Sequence, residues 1–268
     1  MAITAPTPVA APEAASPQAA LLPVRRERRT LASYLFMPVF LTLVCTALYL
    51  YVKAQNLDSI EVRSLNAEKL TSATLRHIEL AAVSTFFVIV TAVPLGVLLT
   101  RPVTRRFRGI LLTIANIGQA VPTIGVLALL AVAFAFLGFA AAVMGLVAYA
   151  VLPVLRNTMV GLEQVDEAIL EAGRGMGISK FGVLRRIELP LAVPIILAGV
   201  RTALIINVGT ATLAAYISAG GLGTIIVAGL STNRFTVQLT GAVLTAVLAL
   251  LVDYLAAIAE DVLRPKGL

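Results

Sequence analysis

The chain has 268 residues, 59% hydrophobic and only 13% charged, with a mean hydropathy of +0.95. Soluble domains carry about a quarter charged residues, so these values exclude a soluble globular domain and predict an all-α integral membrane protein. The net charge of +7 raises membrane topology before nucleic acid, and the single cysteine, Cys45, and single histidine, His77, exclude an internal disulfide and a Cys- or His-based zinc site.

Residues 1–29 open Ala/Pro-rich and end in the basic cluster RRERR, which reads as a disordered cytoplasmic tail ahead of a retained membrane anchor. A membrane helix needs about 20 apolar residues to cross roughly 30 Å of hydrocarbon. Runs of that size lie at 31–52, 78–100, 191–217 and 236–259, and the uncharged stretch 109–155 is long enough for two crossings with a turn near Gly138. Six spans are expected, divided into a first helix with its outer segment (30–70), a main domain (71–256) and a short tail (257–268). Cys45, inside the first run, reads as lipid-facing or packed filler; His77, where a polar segment becomes apolar, reads as an interfacial helix end.

Fifteen cations, Arg25 to Arg29, Arg101 to Arg108, Arg156 to Arg186, Arg264 and Lys266, fall on one side of this arrangement, and five, Lys53, Arg63, Lys69, Arg76 and Arg234, on the other. Cations accumulate in cytoplasmic segments. Both termini are therefore expected in the cytoplasm, and the basic excess requires no nucleic acid.

Between the fourth and fifth spans the chain runs EAGRGMGISKFGVLRRIELP, within a polar segment over 163–190. Bundle connections commonly take 2–8 residues, so this one has work beyond turning. DEAILEAGRGM has apolar positions at helical spacing, Gly177 predicts a break, and Ser179 is a candidate N-cap for KFGVLRR. Pro190 suits the first turn of the next span. The glycines Gly173, Gly175 and Gly177 do not form a phosphate loop, because G-x-x-x-x-G-K-[ST] occurs nowhere in the chain and no strand precedes them.

Glu171-Ala172-Gly173, three residues, Gly177, nine residues, and then Ile187-Glu188-Leu189-Pro190 resembles the "EAA" loop of binding-protein-dependent ABC importer permeases, E-A-A-x-x-x-G, nine residues, I-x-L-P. Gly173 stands where the family's second alanine is usual, a change that loosens a helix by about 1 kcal/mol. ANIGQAVPTIGVLALL, YAVLPVLRNTMVGLEQV, ELPLAVPIILAGVRTALI and GTATLAAYISAGGLGTII resemble the permeases of the glycine betaine, choline and carnitine group, over about residues 70–256. The resemblance implies the type-1 ABC importer permease fold and coupling helices that seat on a separate ATPase. In it Glu171, Ala172, Gly173, Gly177, Ile187, Leu189 and Pro190 form the ATPase-coupling segment. It also implies an external solute-binding protein, a second copy or a related permease, and ATP with Mg on the ATPase, with no cofactor in this chain.

A pathway across the bilayer needs polar groups that face protein or water. The third span offers Asn116, Gln119 and Pro122, the fifth Arg201, Asn207, Thr210 and Thr212, and a loop beyond it Gly220, Gly221 and Gly223 as an outer gate. Arg201, about ten residues into its span, lies at a depth where a charge costs at least about 2.5 kcal/mol. It therefore needs an interior partner: Gln119, backbone carbonyls or Asp253. An internal clamp between helices is its first reading, and contact with a substrate carboxylate its second. Tyr216 is the aromatic candidate for a quaternary ammonium group, Asp253 is expected to reach the interface or Arg264, and Gly199 with Ala203 reads as close helix packing. An importer for another small solute, such as an amino acid, an ion-coupled secondary transporter and a passive channel are the alternatives; the last two leave the polar loop unexplained.

Overall fold

A chain this apolar satisfies its backbone in the only open structure a bilayer admits, the α-helix. The computed structural model describes residues 31–263, which form helices joined by short turns and loops, with no strand among them. The expectations for the first 29 residues and the last five lie outside the described residues. By contacts the chain divides into two units, Met1–Phe36 and Met37–Leu268; the second holds everything discussed below.

The helices are α1 (Leu31–Ala54), α2 (Ser59–Ser64), α3 (Ala67–Leu99), α4 (Arg108–Ala120), α5 (Thr123–Ala133), α6 (Phe139–Glu163), α7 (Glu167–Gly175), α8 (Lys180–Val183), α9 (Leu189–Thr210), α10 (Gly223–Ser231) and α11 (Phe235–Leu263). Five helical stretches are long and apolar enough to cross a membrane, and a bent pair makes a sixth only if counted as one span. Four of the expected crossings and the turn at Gly138 are present; Gly138 caps α6 with φ 85°.

The third crossing is not the straight helix expected. Residues 105–120 and Thr123–Ala133 meet at 88°. Pro122 has no N–H to donate, and its ring drives Val121 into the extended region (ψ 128°). The helix therefore stops and restarts at Thr123. After the turn, α5 lies against α6, with Leu127 buried over Gly145, where a Cβ would stand 2.7 Å from Leu127 Cδ2.

The fifth crossing also differs. It was expected to begin at Pro190, but α8, a π-helical turn (Leu184–Glu188), α9 and a 3-10 turn (Ala211–Ile217) run together as one apolar stretch, Lys180–Ile217. A proline ring collides with the carbonyl four residues before it. The wider π turn, in which the Leu189 N–H donates to Leu184 O, displaces that carbonyl and lets the helix continue through Pro190.

The centre of the bundle is α3, α6 and α9, which approach closely because small residues line their contacts. A Cβ on Gly96 would come within 2.7 Å of Thr158, one on Gly161 within 3.1 Å of the Ala192 carbonyl, and one on Gly199 within 3.0 Å of the Pro153 carbonyl. Gly199 and Ala203 thus serve the packing expected of them. Around this trio α11 packs on α9 and α10, while α1 offers mostly exposed side chains and, with α11, forms a shallow groove that Cys45 lines.

On the α2 side a capping box holds the short helix: Asp58 Oδ1 accepts from the Ile60 and Glu61 N–H groups, and Glu61 Oε2 accepts from the Asp58 N–H. Arg234, just before α11, donates to Asp58 Oδ2 at 2.7 Å.

Candidate functional site: the polar hairpin and the helix contacts above it

The polar segment folds as a helical hairpin. Asp166 caps α7 by accepting from the Ala168 N–H, Gly177 turns the chain with φ 82°, and Ser179 Oγ accepts from the Gly182 N–H to start α8. Gly177 and Ser179 agree with the sequence reading, and Asp166 adds a cap to the helix expected before them. The departure does not weaken the hairpin: Gly173 is buried, and a Cβ there would meet Ile187 Cδ1 at 2.7 Å. Two residues of the motif thus touch each other, and the absent methyl makes room for the isoleucine.

The rest of the motif divides by face. Leu189 packs with Leu184 on a cluster of Leu162, Ala192 and Ile196 at the ends of α6 and α9. Glu171 and Ala172 are exposed, beside an apolar surface of Ile169 (47% exposed), Met176 (74%) and Phe181 (70%). Glu188, in the π turn, is buried and receives both terminal nitrogens of Arg101, Nη1 to Oε1 at 3.2 Å and Nη2 to Oε2 at 2.5 Å. The return limb of the hairpin is thereby fastened to the end of α3. Arg101, expected only as an inside cation, thus has a structural partner; the signal for it in the sequence is Glu188, a charge set among apolar positions of the motif.

The expected pathway residues do not converge on one cavity; they fall at three helix contacts. Between α4 and α6 there is a ladder of polar links. Arg108 pairs with Glu163 at one end, Arg156 Nη2 donates to Asn116 Oδ1 at 2.5 Å, and Gln119 Nε2 donates to the Tyr149 carbonyl at 3.0 Å. Pro122 follows as the bend. Arg156, counted with the inside cations, lies within α6, seven residues before its end.

Between α9 and α11, Arg201 donates from Nε and Nη2 to the two oxygens of Asp253 at 2.5 and 2.9 Å, and Nη1 stands 3.7 Å from Glu260. This is the internal clamp. Asp253 was expected to reach the interface or Arg264, and faces Arg201 because α11 packs on α9. Between α9 and α3, Asn207 Nδ2 donates to Thr85 Oγ1 at 3.0 Å, and its buried Oδ1 meets no hydrogen-bond partner among the described residues. Thr210 and Thr212 turn back to the carbonyls of Ile206 and Gly209. Tyr216 is 54% exposed.

His77 is fully buried, well inside α3, which corrects its placement at an interfacial helix end. Helix α3 begins at Ala67, eleven residues before the apolar run, and so carries His77 inside. Its Nδ1 accepts from the Leu222 N–H at 3.2 Å, which leaves Nε2–H to donate to the Val208 carbonyl at 2.8 Å. The neutral imidazole thus joins α3, α9 and the glycine loop. Gly220 (φ 89°) and Gly221 (φ 86°) form that loop beside Arg76 and His77. Arg76 Nε donates to the Ala219 carbonyl, and the loop borders a cleft of about 390 Å³ with Asn66, Lys69 and Thr224. At Gly223 a Cβ would lie 1.9 Å from the Thr212 carbonyl, so no other residue fits.

Comparison with known proteins assigns the architecture. The family model of the binding-protein-dependent transport system inner membrane component matches residues 92–266, well over half of the chain. The chain belongs to that family. Among similar proteins of this family are the carnitine transport permease OpuCD of Listeria monocytogenes, 43% identical over 191 residues (71% of this chain, 84% of the relative), and the choline transport system permease OpuBB of Bacillus subtilis, 38% identical over 209 residues (78% and 95%). The osmoprotectant import permease OsmY of Salmonella typhimurium is 36% identical over 218 residues (81% and 91%). Among solved structures, an inward-facing form of the MetNI methionine ABC transporter matches with a TM-score of 0.64 and 26% identity, over 73% of this chain and 96% of that one. The fold is that of the type-1 ABC importer permeases, and the family's transport-permease character makes this chain a transport subunit.

Proposed function

We propose that the chain is the membrane-spanning permease of an ATP-driven importer for quaternary ammonium osmoprotectants, namely glycine betaine, choline and carnitine. The observation that carries the reading is the polar hairpin. It exposes Glu171, Ile169, Met176 and Phe181 outward, while Leu184, Leu189 and the Arg101–Glu188 pair fix it to α3, α6 and α9. Such a handle transmits displacement from whatever grips its outer face into the three central helices. In this reading a pair of ABC ATPase subunits binds ATP and Mg²⁺ and grips the 163–190 segment from the cytoplasm. Both chain termini lie on that side of a bacterial inner membrane.

A second copy or a related permease completes the pathway, and an external binding protein delivers the solute. Asn116, Gln119, Pro122, Asn207, Thr210 and Thr212 belong to the helices that move, Arg201 clamps two of them, and the Gly220, Gly221 and Gly223 loop stands at the outer gate. The solute class rests on the identities of 34–43% to permeases named for carnitine, choline and osmoprotectants. The methionine transporter, at 26%, supports an amino-acid importer less. Proteoliposomes holding the permease, its ATPase and its binding protein test the reading. ATP-dependent uptake of labelled glycine betaine, carnitine or choline is expected; ATP-dependent uptake of amino acids alone overturns the solute class, and uptake that follows an ion gradient without ATPase overturns the importer.

A further inference from the structure

Two arginines lie well inside the spanning helices that form the lower part of the bundle, and their surroundings are opposite. Arg201 is engaged by Asp253 and Glu260. Arg156 is exposed, and its partner is a neutral amide, the Oδ1 of Asn116, itself exposed. Arg156 stands seven residues before Glu163 in α6, about 10 Å along the helix at 1.5 Å per residue. Asn116 stands eight residues after Arg108 in α4, about 12 Å along, and Arg108 pairs with Glu163. The two measures agree, so the guanidinium is held at that depth and does not reach along α6 to the bundle's edge.

A guanidinium held away from the helix end is disfavoured against hydrocarbon, so this face meets water or protein. A second copy of the chain offers it no spare carboxylate at that level. Among the described residues Glu163 pairs with Arg108, Glu188 with Arg101, Asp253 and Glu260 with Arg201, Glu79 with Arg76, Asp58 with Arg234 and Glu167 with Arg174; Glu61 and Asp166 serve helix caps, Glu68 and Asp261 sit near helix ends, and Glu171 lies on the hairpin beyond Glu163. Guanidinium has five N–H donors in a planar fork suited to a carboxylate, and Asn116 uses one of them.

We infer that Arg156, oriented by Asn116, reads the carboxylate of the transported solute in the half of the pathway nearer the hairpin, so that carboxylated solutes are favoured over cationic ones that lack the group. The inference rests on the osmoprotectant reading and makes Arg156 a specificity-determining residue within it. Glycine betaine and carnitine carry a carboxylate; choline carries a hydroxyl and a net positive charge that Arg156 repels.

The test is ATP-dependent uptake by the complete transporter in proteoliposomes, with glycine betaine and choline each supplied at saturation of the binding protein. Arg156→Gln is expected to lower the ratio of glycine betaine to choline uptake at least tenfold, with ATPase co-purification as in the parent. Asn116→Ala is expected to lower it two- to fivefold. A purely structural arginine depresses both solutes together, and that unchanged ratio overturns the inference. Where the parent carries glycine betaine and not choline, Arg156→Lys decides. Retention of at least a third of the uptake, against under a tenth for Arg156→Gln, supports a charge reading the solute; equal loss in both overturns it. A parent that carries none of these solutes fails the osmoprotectant reading itself, which is a different result from a parent that carries them with an unchanged ratio in the variants.

Discussion

Removing Arg101 tests whether the hairpin is rigidly fastened to the bundle. The side chain of Glu188 is 6% exposed and that of Arg101 33% exposed, so the two halves of the pair are not equivalent. Arg101→Met leaves a carboxylate in the π turn with neither water nor a cation, and breaking a buried pair in this way costs about 3–5 kcal/mol. Because the lost partner is itself one-third open, the lower end, about 3 kcal/mol, is expected. Glu188→Gln instead leaves an arginine with access to solvent or headgroups and an amide still able to accept one of its N–H groups. That loss is about 1 kcal/mol. At about 2–4 °C per kcal/mol for a chain of this size, thermal unfolding of the purified permease in detergent should fall by roughly 6–12 °C for Arg101→Met and 2–4 °C for Glu188→Gln. The double variant Arg101→Met with Glu188→Leu should recover most of the difference, since no unpaired charge remains. Uptake should fall in both single variants and stay low in the double one, where the fold is restored and the fastening is not. Equal and additive shifts in the two single variants would refute the assignment of a buried anion that needs its cation.

Four further outcomes follow from other contacts. Arg201→Ala leaves Asp253 and Glu260, both on α11, without their shared cation, and a double-mutant cycle with Asp253→Asn should return a coupling of about 1–3 kcal/mol; additivity within about 0.5 kcal/mol would show that the clamp carries nothing. Gly223→Ala places a methyl against the Thr212 carbonyl and should cost about 1–3 kcal/mol or more, read as lost monodisperse protein on size-exclusion chromatography, with Gly109→Ala, in open space, as the tolerated control. Glu171→Lys and Gly177→Val should each abolish ATPase co-purification while the permease still inserts; Gly177→Val also forces a β-branched residue to φ 82°, at about 1–2 kcal/mol. The Asp58 carboxyl is held below its ordinary 3.8 by the Glu61 backbone N–H first and by Arg234 second. Its depressed value means that the contribution of the cap is whole above pH 3.8 and is lost as the pH falls through the lower, folded-state value. Hydrogen-exchange protection of the Ile60 and Glu61 amides, corrected for intrinsic rate, should therefore be flat from pH 7 to 5 and collapse only below pH 3.8.

What the sequence disclosed was what local chemistry decides. Apolar runs located most of the crossings, and Gly177 and Ser179 marked the hairpin because caps and positive-φ turns depend on a few adjacent residues. Pro122 and Pro190 show the limit. Both announced an interruption, but one became an 88° bend and the other was absorbed by a π turn, since the outcome depends on what surrounds the freed carbonyl. His77 was misplaced because the helix outlasts the apolar run: α3 begins at Ala67, where a polar face still packs against protein. Arg156 was read only as a cation, and its amide partner on α4 was not foreseen. A charge near the end of an apolar run marks a boundary only when lipid surrounds it, and α4 gives this one an amide instead. The pairs Arg101–Glu188, Arg108–Glu163 and Arg234–Asp58 join residues 55 to 176 positions apart, beyond the reach of any local pattern.

The central claim is that the α7–α8 hairpin is a handle held by a separate ATPase on the cytoplasmic side, and position 176 reports on it most directly. Met176 is 74% exposed at the hairpin's turn, and Cys45 is the chain's one native thiol. With Cys45→Ala and Met176→Cys combined, a membrane-impermeant maleimide should leave intact cells unlabelled, label inverted membrane vesicles, and lose that labelling when the partner ATPase is bound. Labelling of intact cells from the outer face would place the hairpin on the wrong side and contradict the account.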